Sequence, residues 1–131
     1  MLNIIINIIL LLILILVILY PTINRLRAKR VATFIDEETF KAGMRTAQVI
    51  DIREAAEFKR RHILGARNVP ASQVKAAEFT LRKDKPIYLY DNKKAQLAGG
   101  VALILKKKGY QDIYILKKGI DSWTGKIKEK S

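Results

Sequence analysis

Cysteine is absent from the 131-residue chain, which removes disulfides, thiolate metal sites and any sulfur nucleophile of its own. A single histidine, His62, is too little for a zinc centre, which draws on several imidazole or thiolate ligands unless carboxylates fill in. No metal and no cofactor are expected. Negative charge is scarce: 12 acidic residues stand against 25 lysines and arginines, a net charge of +13. Charge of either sign is missing before Arg25, so the whole excess belongs to the rest of the chain. Such a field favours anionic surfaces, phospholipid headgroups or nucleic acid. The lysines and arginines are not interleaved with aromatics and match no nucleic-acid motif, which speaks against nucleic acid.

What the chain has in abundance is an apolar run. Residues 2 to 20, LNIIINIILLLILILVILY, hold only Asn3 and Asn7 as polar residues. As a helix rising ~1.5 Å per residue they span ~28 Å, close to the ~30 Å hydrocarbon core, so the lipid bilayer is the expected partner of this segment. A cleavable signal peptide would carry a basic region first and a small-residue cleavage site after, and neither is present. A core helix would need a larger protein to bury it on every side. Arg25, Arg27, Lys29 and Arg30 crowd the C-terminal flank. Positive flanks stay in the cytoplasm, which makes the chain a single-pass protein of the cell membrane with its N-terminus outside and its C-terminal domain in the cytoplasm. The same four residues are candidates for anionic lipid headgroups. Tyr20 falls at headgroup level, and Pro21 is expected to end the helix or begin a turn.

The reading along the chain is an anchor over 1–21, a basic connector over 22–31, one α/β domain over 32–126 and a basic tail over 127–131. Asp36 is the expected N-cap of a helix with Glu37 and Glu38 in its first turn and Gly43 near its end. AQVIDI, residues 47–52, reads as a buried strand, REAAEFKRR as helical, and ILGARNVP as a turn and a short extended piece before Pro70. Residues 71–83 read as helix, IYLY as strand, Lys94 to Lys108 as helix with Gly109 as its left-handed cap, and DIYIL as strand. GIDSW is expected to open a last helix. Strands alternating with helices at short spacing imply a parallel sheet in an open α/β sandwich.

Four pieces of the chain, in order, resemble the rhodanese-like domain family. VIDIREAAEFKRRHILGARNVP, residues 49–70, is similar to that family's Asp-x-Arg-Glu, Glu-Phe, His-Ile, Gly-Ala and Asn-x-Pro pattern. PIYLYD matches its strand leading to the reactive residue, and VALILKKKGYQDIYILKKGIDSW, residues 101–123, matches its helix, Gly-Tyr turn, strand and Gly-Ile-Asp-x-Trp close. The resemblance implies a five-stranded, mostly parallel sheet flanked by helices. In active members a cysteine ends the strand that IYLY matches, and a short loop after it cradles a persulfide with backbone N–H groups. Here the cysteine is replaced by Asp91, and the loop reads Asn92, Lys93, Lys94, Ala95, Gln96, Leu97. The family's glycine, arginine and serine fall at Lys94, Gln96 and Leu97.

Persulfide transfer needs a sulfur that attacks and leaves as a thiolate, which a carboxylate cannot do. The resemblance therefore implies a catalytically inactive member, not an enzyme. An aspartate can instead be the nucleophile of phosphoryl transfer, but enzymes of that kind hold magnesium with a second carboxylate two residues on, and here Lys93 stands there. A third reading is structural: a cradle of N–H groups suits a carboxylate as well as a negative sulfur, so Asp91 would fill its own cradle. Asp51, Arg53 and Glu57 read as a charge and hydrogen-bond network near the sheet edge, with Arg53 a candidate ligand contact. His62 follows Arg61 where the family has glycine and reads as a turn residue rather than a base. Trp123 reads as core, and Gly99 and Gly100 as backbone packed closely on the sheet. The expected role is a protein-binding or scaffolding module with a protein partner that the sequence does not name. The alternatives are an accessory to sulfur transfer that uses a partner's cysteine, and a module for RNA or anionic lipid.

Overall fold

The computed structural model describes residues 1–75, 81–92 and 96–129, with backbone alone for Gln96. Helix α1 (Leu2–Val31) is unbroken. Pro21 does not end it, contrary to the sequence reading, and residues 22–31 are helical rather than a loose connector. A proline removes one backbone hydrogen bond, here the one to Val17, but the following NRLRAKRV is rich in good helix formers. Its last turns are also held from outside: Ala28 is fully buried, and Ala32 joins the core just beyond the helix.

Strand β1 (Thr33–Ile35) leads into α2 (Glu37–Gly43), where the Asp36 side chain accepts the Thr39 N–H at 2.9 Å as an N-cap should. Next come β2 (Gln48–Asp51), α3 (Ala55–Arg60), β3 (Arg61–Ile63), β4 (Arg67–Asn68) and α4 (Ala71–Val74). Strand β5 (Ile87–Tyr90), α5 (Gln96–Lys107), β6 (Ile113–Leu116) and β7 (Ile127–Glu129) complete the chain. The main sheet is five-stranded in the order β1-β6-β5-β2-β4, and every pairing in it is parallel. This is the α/β sandwich expected, and all its C-terminal strand ends lie on one side.

Alternation along β5 divides the core. Ile87 and Leu89 face a cluster with Ala98, Val101, Ala102 and Leu105 of α5, while Tyr88 and Tyr90 face Phe40, Ile120 and Trp123. Each large apolar side chain buried this way contributes roughly 1.5–3 kcal/mol. Gly109 has φ +97° and caps α5 in the left-handed region, as its position implied.

Four further expectations are corrected. The helix expected over 71–83 ends at Val74; residues 76–80 lie outside the described residues, and residues 81–83 are not helical. There the backbone is satisfied by Gln48, whose side chain accepts the Arg82 N–H and donates to the Arg82 carbonyl. The last helix is a single tight turn, Ile120–Ser122, because Glu37 takes the Thr124 N–H and hydroxyl and draws the chain away. The basic tail is partly a strand: β7 pairs antiparallel with β3, with Ile127 opposite the buried Ile63. Gly99 packs on α1 rather than on the sheet, since a Cβ there would lie 3.2 Å from the Ala28 Cβ, and Gly100 meets nothing within 4 Å.

Candidate functional site

Strand β5 is the middle strand of the sheet, so the residue after it emerges at the centre of the C-terminal edge. That residue, Asp91, is only 4% exposed. Its Oδ1 accepts the Asn92 N–H at 2.7 Å and its Oδ2 accepts the Leu97 N–H, in the first turn of α5, at 2.9 Å. The carboxylate thus spans the loop from its first residue to its last. Its backbone carbonyl accepts the Ile120 N–H at 2.9 Å, which ties the turn after β6 to the same point. Gly119 makes this approach possible with φ +62°. Lys93, Lys94 and Ala95 lie outside the described residues.

One strand over, β2 ends at Asp51, in register with Tyr90. Asp51 is fully buried, and its two carboxylate oxygens accept from the Arg53 backbone N–H, Nε and Nη2, the last at 2.7 Å. Arg53 also donates to the Arg61 carbonyl, lies over the Tyr90 ring at 5.9 Å, and has Glu57 at 3.9 Å. Burial disfavours the Arg53 charge, yet the hydrogen-bonded Asp51 carboxylate more than offsets it and raises the guanidinium above its ordinary value. Burial, and then the adjacent Asp51 charge, push the Tyr90 phenol far above its ordinary value, so it stays protonated. The Tyr90 oxygen accepts the Ile63 N–H, and Asn68 donates to the carbonyls of Asp51 and Arg53.

Asp51, Arg53 and Glu57 are therefore brought together, with Tyr90 as a member that the sequence reading placed only in a strand. Its signal was position, since it alternates with Leu89 and precedes Asp91. His62 is not in a turn but in β3, opposite Lys128. Its Nδ1 lies 2.7 Å from the Phe58 carbonyl, and its ring stacks on Phe58 at 3.7 Å. The long-range β3–β7 pairing, which the sequence did not signal, fixes it there.

Chemically, the Asn92 and Leu97 N–H groups and the Arg53 guanidinium at this edge are already matched to acceptors. Asp91 occupies N–H groups that would otherwise attract an anion, and Arg53 is committed to Asp51. No cluster of metal-ligating side chains occurs among the described residues. An open cleft of about 410 Å³ lies beside this edge, lined by Asp36, Glu37, Lys117, Gly119 and Ser122, with Asp91 outside it.

The chain is similar to known proteins. The family model of the rhodanese-like domain matches residues 36–126. YqhL of Bacillus subtilis (strain 168) is 45% identical over 113 residues, covering 86% of this chain and 89% of that protein. YibN of Escherichia coli (strain K12) is 31% identical over 111 residues, covering 82% and 77%. The solution structure of the rhodanese-like domain from the Alr3790 protein of Anabaena sp. superposes with a TM-score of 0.65 at 23% identity, covering 73% of this chain and 78% of that one. A likeness at that identity speaks to the fold alone.

Proposed function

The chain belongs to the rhodanese-like domain family, and on that premise we propose that it is a membrane-anchored member without sulfurtransferase chemistry, serving to bind or scaffold another protein at the cytoplasmic face. The observation that carries this reading is Asp91. A carboxylate stands where the resemblance sets a cysteine, its two oxygens are taken by loop N–H groups, and the chain holds no cysteine that could act in its place. A domain that keeps this fold without the reactive atom retains its surfaces, and surfaces serve binding.

The anchor is supported by α1. Its apolar span is long enough to cross a bilayer and wholly uncovered by the rest of the protein, unlike a core helix. Leaving so many Leu and Ile side chains in water would cost roughly 1.5–3 kcal/mol each. The cytoplasmic placement follows from Arg25, Arg27, Lys29 and Arg30 after the span, with anionic lipid headgroups as their partners.

Photo-crosslinking in intact membranes, from a probe placed at the exposed Lys107, tests the binding role. A discrete protein adduct, lost when an excess of the unlabelled chain is co-expressed, is expected. Adducts to lipid alone would contradict a protein-binding module.

A further inference from the structure

Helices α1 and α5 determine how the domain stands on its anchor. Asn24 and Val31 are half-buried and Ala28 fully buried, a spacing of four and three that marks one helix face. This face lies on α5, where Ala28 meets Gly99 in the first turn. Just after α1 ends, Thr33 pairs with Tyr114 near the start of β6, which α5 precedes. Ala28 is thus level with the opening of α5, and Thr33 lies towards its close. The two helices therefore run in the same direction. Followed backwards, α1 leaves the domain past the strand ends that carry Asp91.

The distances are short. From Tyr20 to Ala28 is eight residues, ~12 Å of helix, and from Gln96 to Gly99 is three residues, ~4.5 Å. The start of α5 therefore lies ~8 Å below Tyr20. The headgroup layer adds ~5–8 Å to each side of the hydrocarbon core. Leu97, at this same end, is 52% exposed, and outside α1 only Leu64 shares that property among the described large apolar side chains.

We infer that the end of the domain carrying Asp91 and Leu97 is seated against the lipid headgroup layer, so that its occupant is the bilayer surface rather than a soluble protein. The inference deepens the reading of the chain as membrane-anchored and rests on it. A protein partner is then left the flanks and the opposite end, where Arg45, Lys83, Lys85, Lys106 and Lys107 stand near the starts of the strands. The seated end is of mixed charge, with Asp36, Glu37 and Glu38 beside Lys117 and Lys118. Charge alone would turn the basic end to anionic lipid; the helix turns it away.

The two orientations are separable because the chain has no cysteine. Lys118→Cys and Lys107→Cys each give one labelling site, on exposed residues at opposite ends of the domain. The labelled full-length chains are reconstituted into phosphatidylcholine vesicles, with and without phosphatidylglycerol, that contain a lipid bearing a nitroxide on its headgroup. The dye at position 118 is expected to lose most of its fluorescence and the dye at 107 little, in both compositions. Equal quenching, or stronger quenching at 107, in chains that resist alkaline carbonate extraction overturns the seating alone. Release of the chains by carbonate overturns the anchor itself.

Discussion

A Cβ on Gly119 would lie 1.2 Å from the carbonyl oxygen of Asn92. The turn after β6 thus rests directly on the backbone that follows Asp91, and Gly119 also holds φ +62°, which other residues adopt at a cost. Gly119→Ala is expected to destabilise the protein by more than ~1–3 kcal/mol, the scale of strained backbone alone, because Asn92 must also move. Gly100→Ala, at an open helical position, is expected to be neutral or to stabilise by up to ~1 kcal/mol. Chemical denaturation of both variants checks the contrast, and similar midpoints would contradict it.

Asp91→Ala frees the N–H groups of Asn92 and Leu97 and is expected to cost about 1 kcal/mol, the scale of a lost cap. Thermal unfolding measures it. An unchanged or raised Tm would show that the carboxylate does not hold the loop.

Arg53→Met leaves Asp51 buried without its counter-charge, a loss of ~3–5 kcal/mol. Glu57→Gln removes a partner 3.9 Å away whose side chain is 37% exposed, and is expected to cost less than ~1 kcal/mol. Urea denaturation of the two variants distinguishes a buried pair from its exposed neighbour.

Stability is expected to fall in acid through Glu37. Partial burial would raise its carboxyl, but the Thr124 N–H and hydroxyl and the Lys41 charge outweigh that and hold it below the ordinary 4.5. A lowered folded-state value means that the unfolded chain takes up the proton first. The contribution is complete above pH 4.5 and is lost as pH falls through the folded value. The acid limb of the stability curve should be shallower in Glu37→Gln; an unchanged slope would assign the acid sensitivity elsewhere.

The features legible in the sequence were those with local signals. Asp36 announced α2 because a cap is a contact across three residues, and Gly109 announced the end of α5 because the left-handed region favours glycine. Strands β1, β3 and β7 carry only three residues each, and their partners are remote: Thr33 meets Tyr114, and His62 meets Lys128. Nothing in so short a stretch encodes such a pairing. Helix α1 outran Pro21 for the same reason, since Gly99 and its neighbours hold Ala28 from seventy residues away. At the site, Asp91 and the Asp51, Arg53 and Glu57 group were legible from the resemblance and from charge. Tyr90 was not, because its role depends on the register that sets it beside Asp51.

The proposed absence of sulfur chemistry is tested most directly by thiocyanate formation from thiosulfate and cyanide, with the full-length chain purified in detergent. No turnover above the protein-free reaction is expected from the wild type or from Asp91→Ala. Turnover by the wild type that disappears in Asp91→Ala would contradict the reading and make this edge of the sheet an active site.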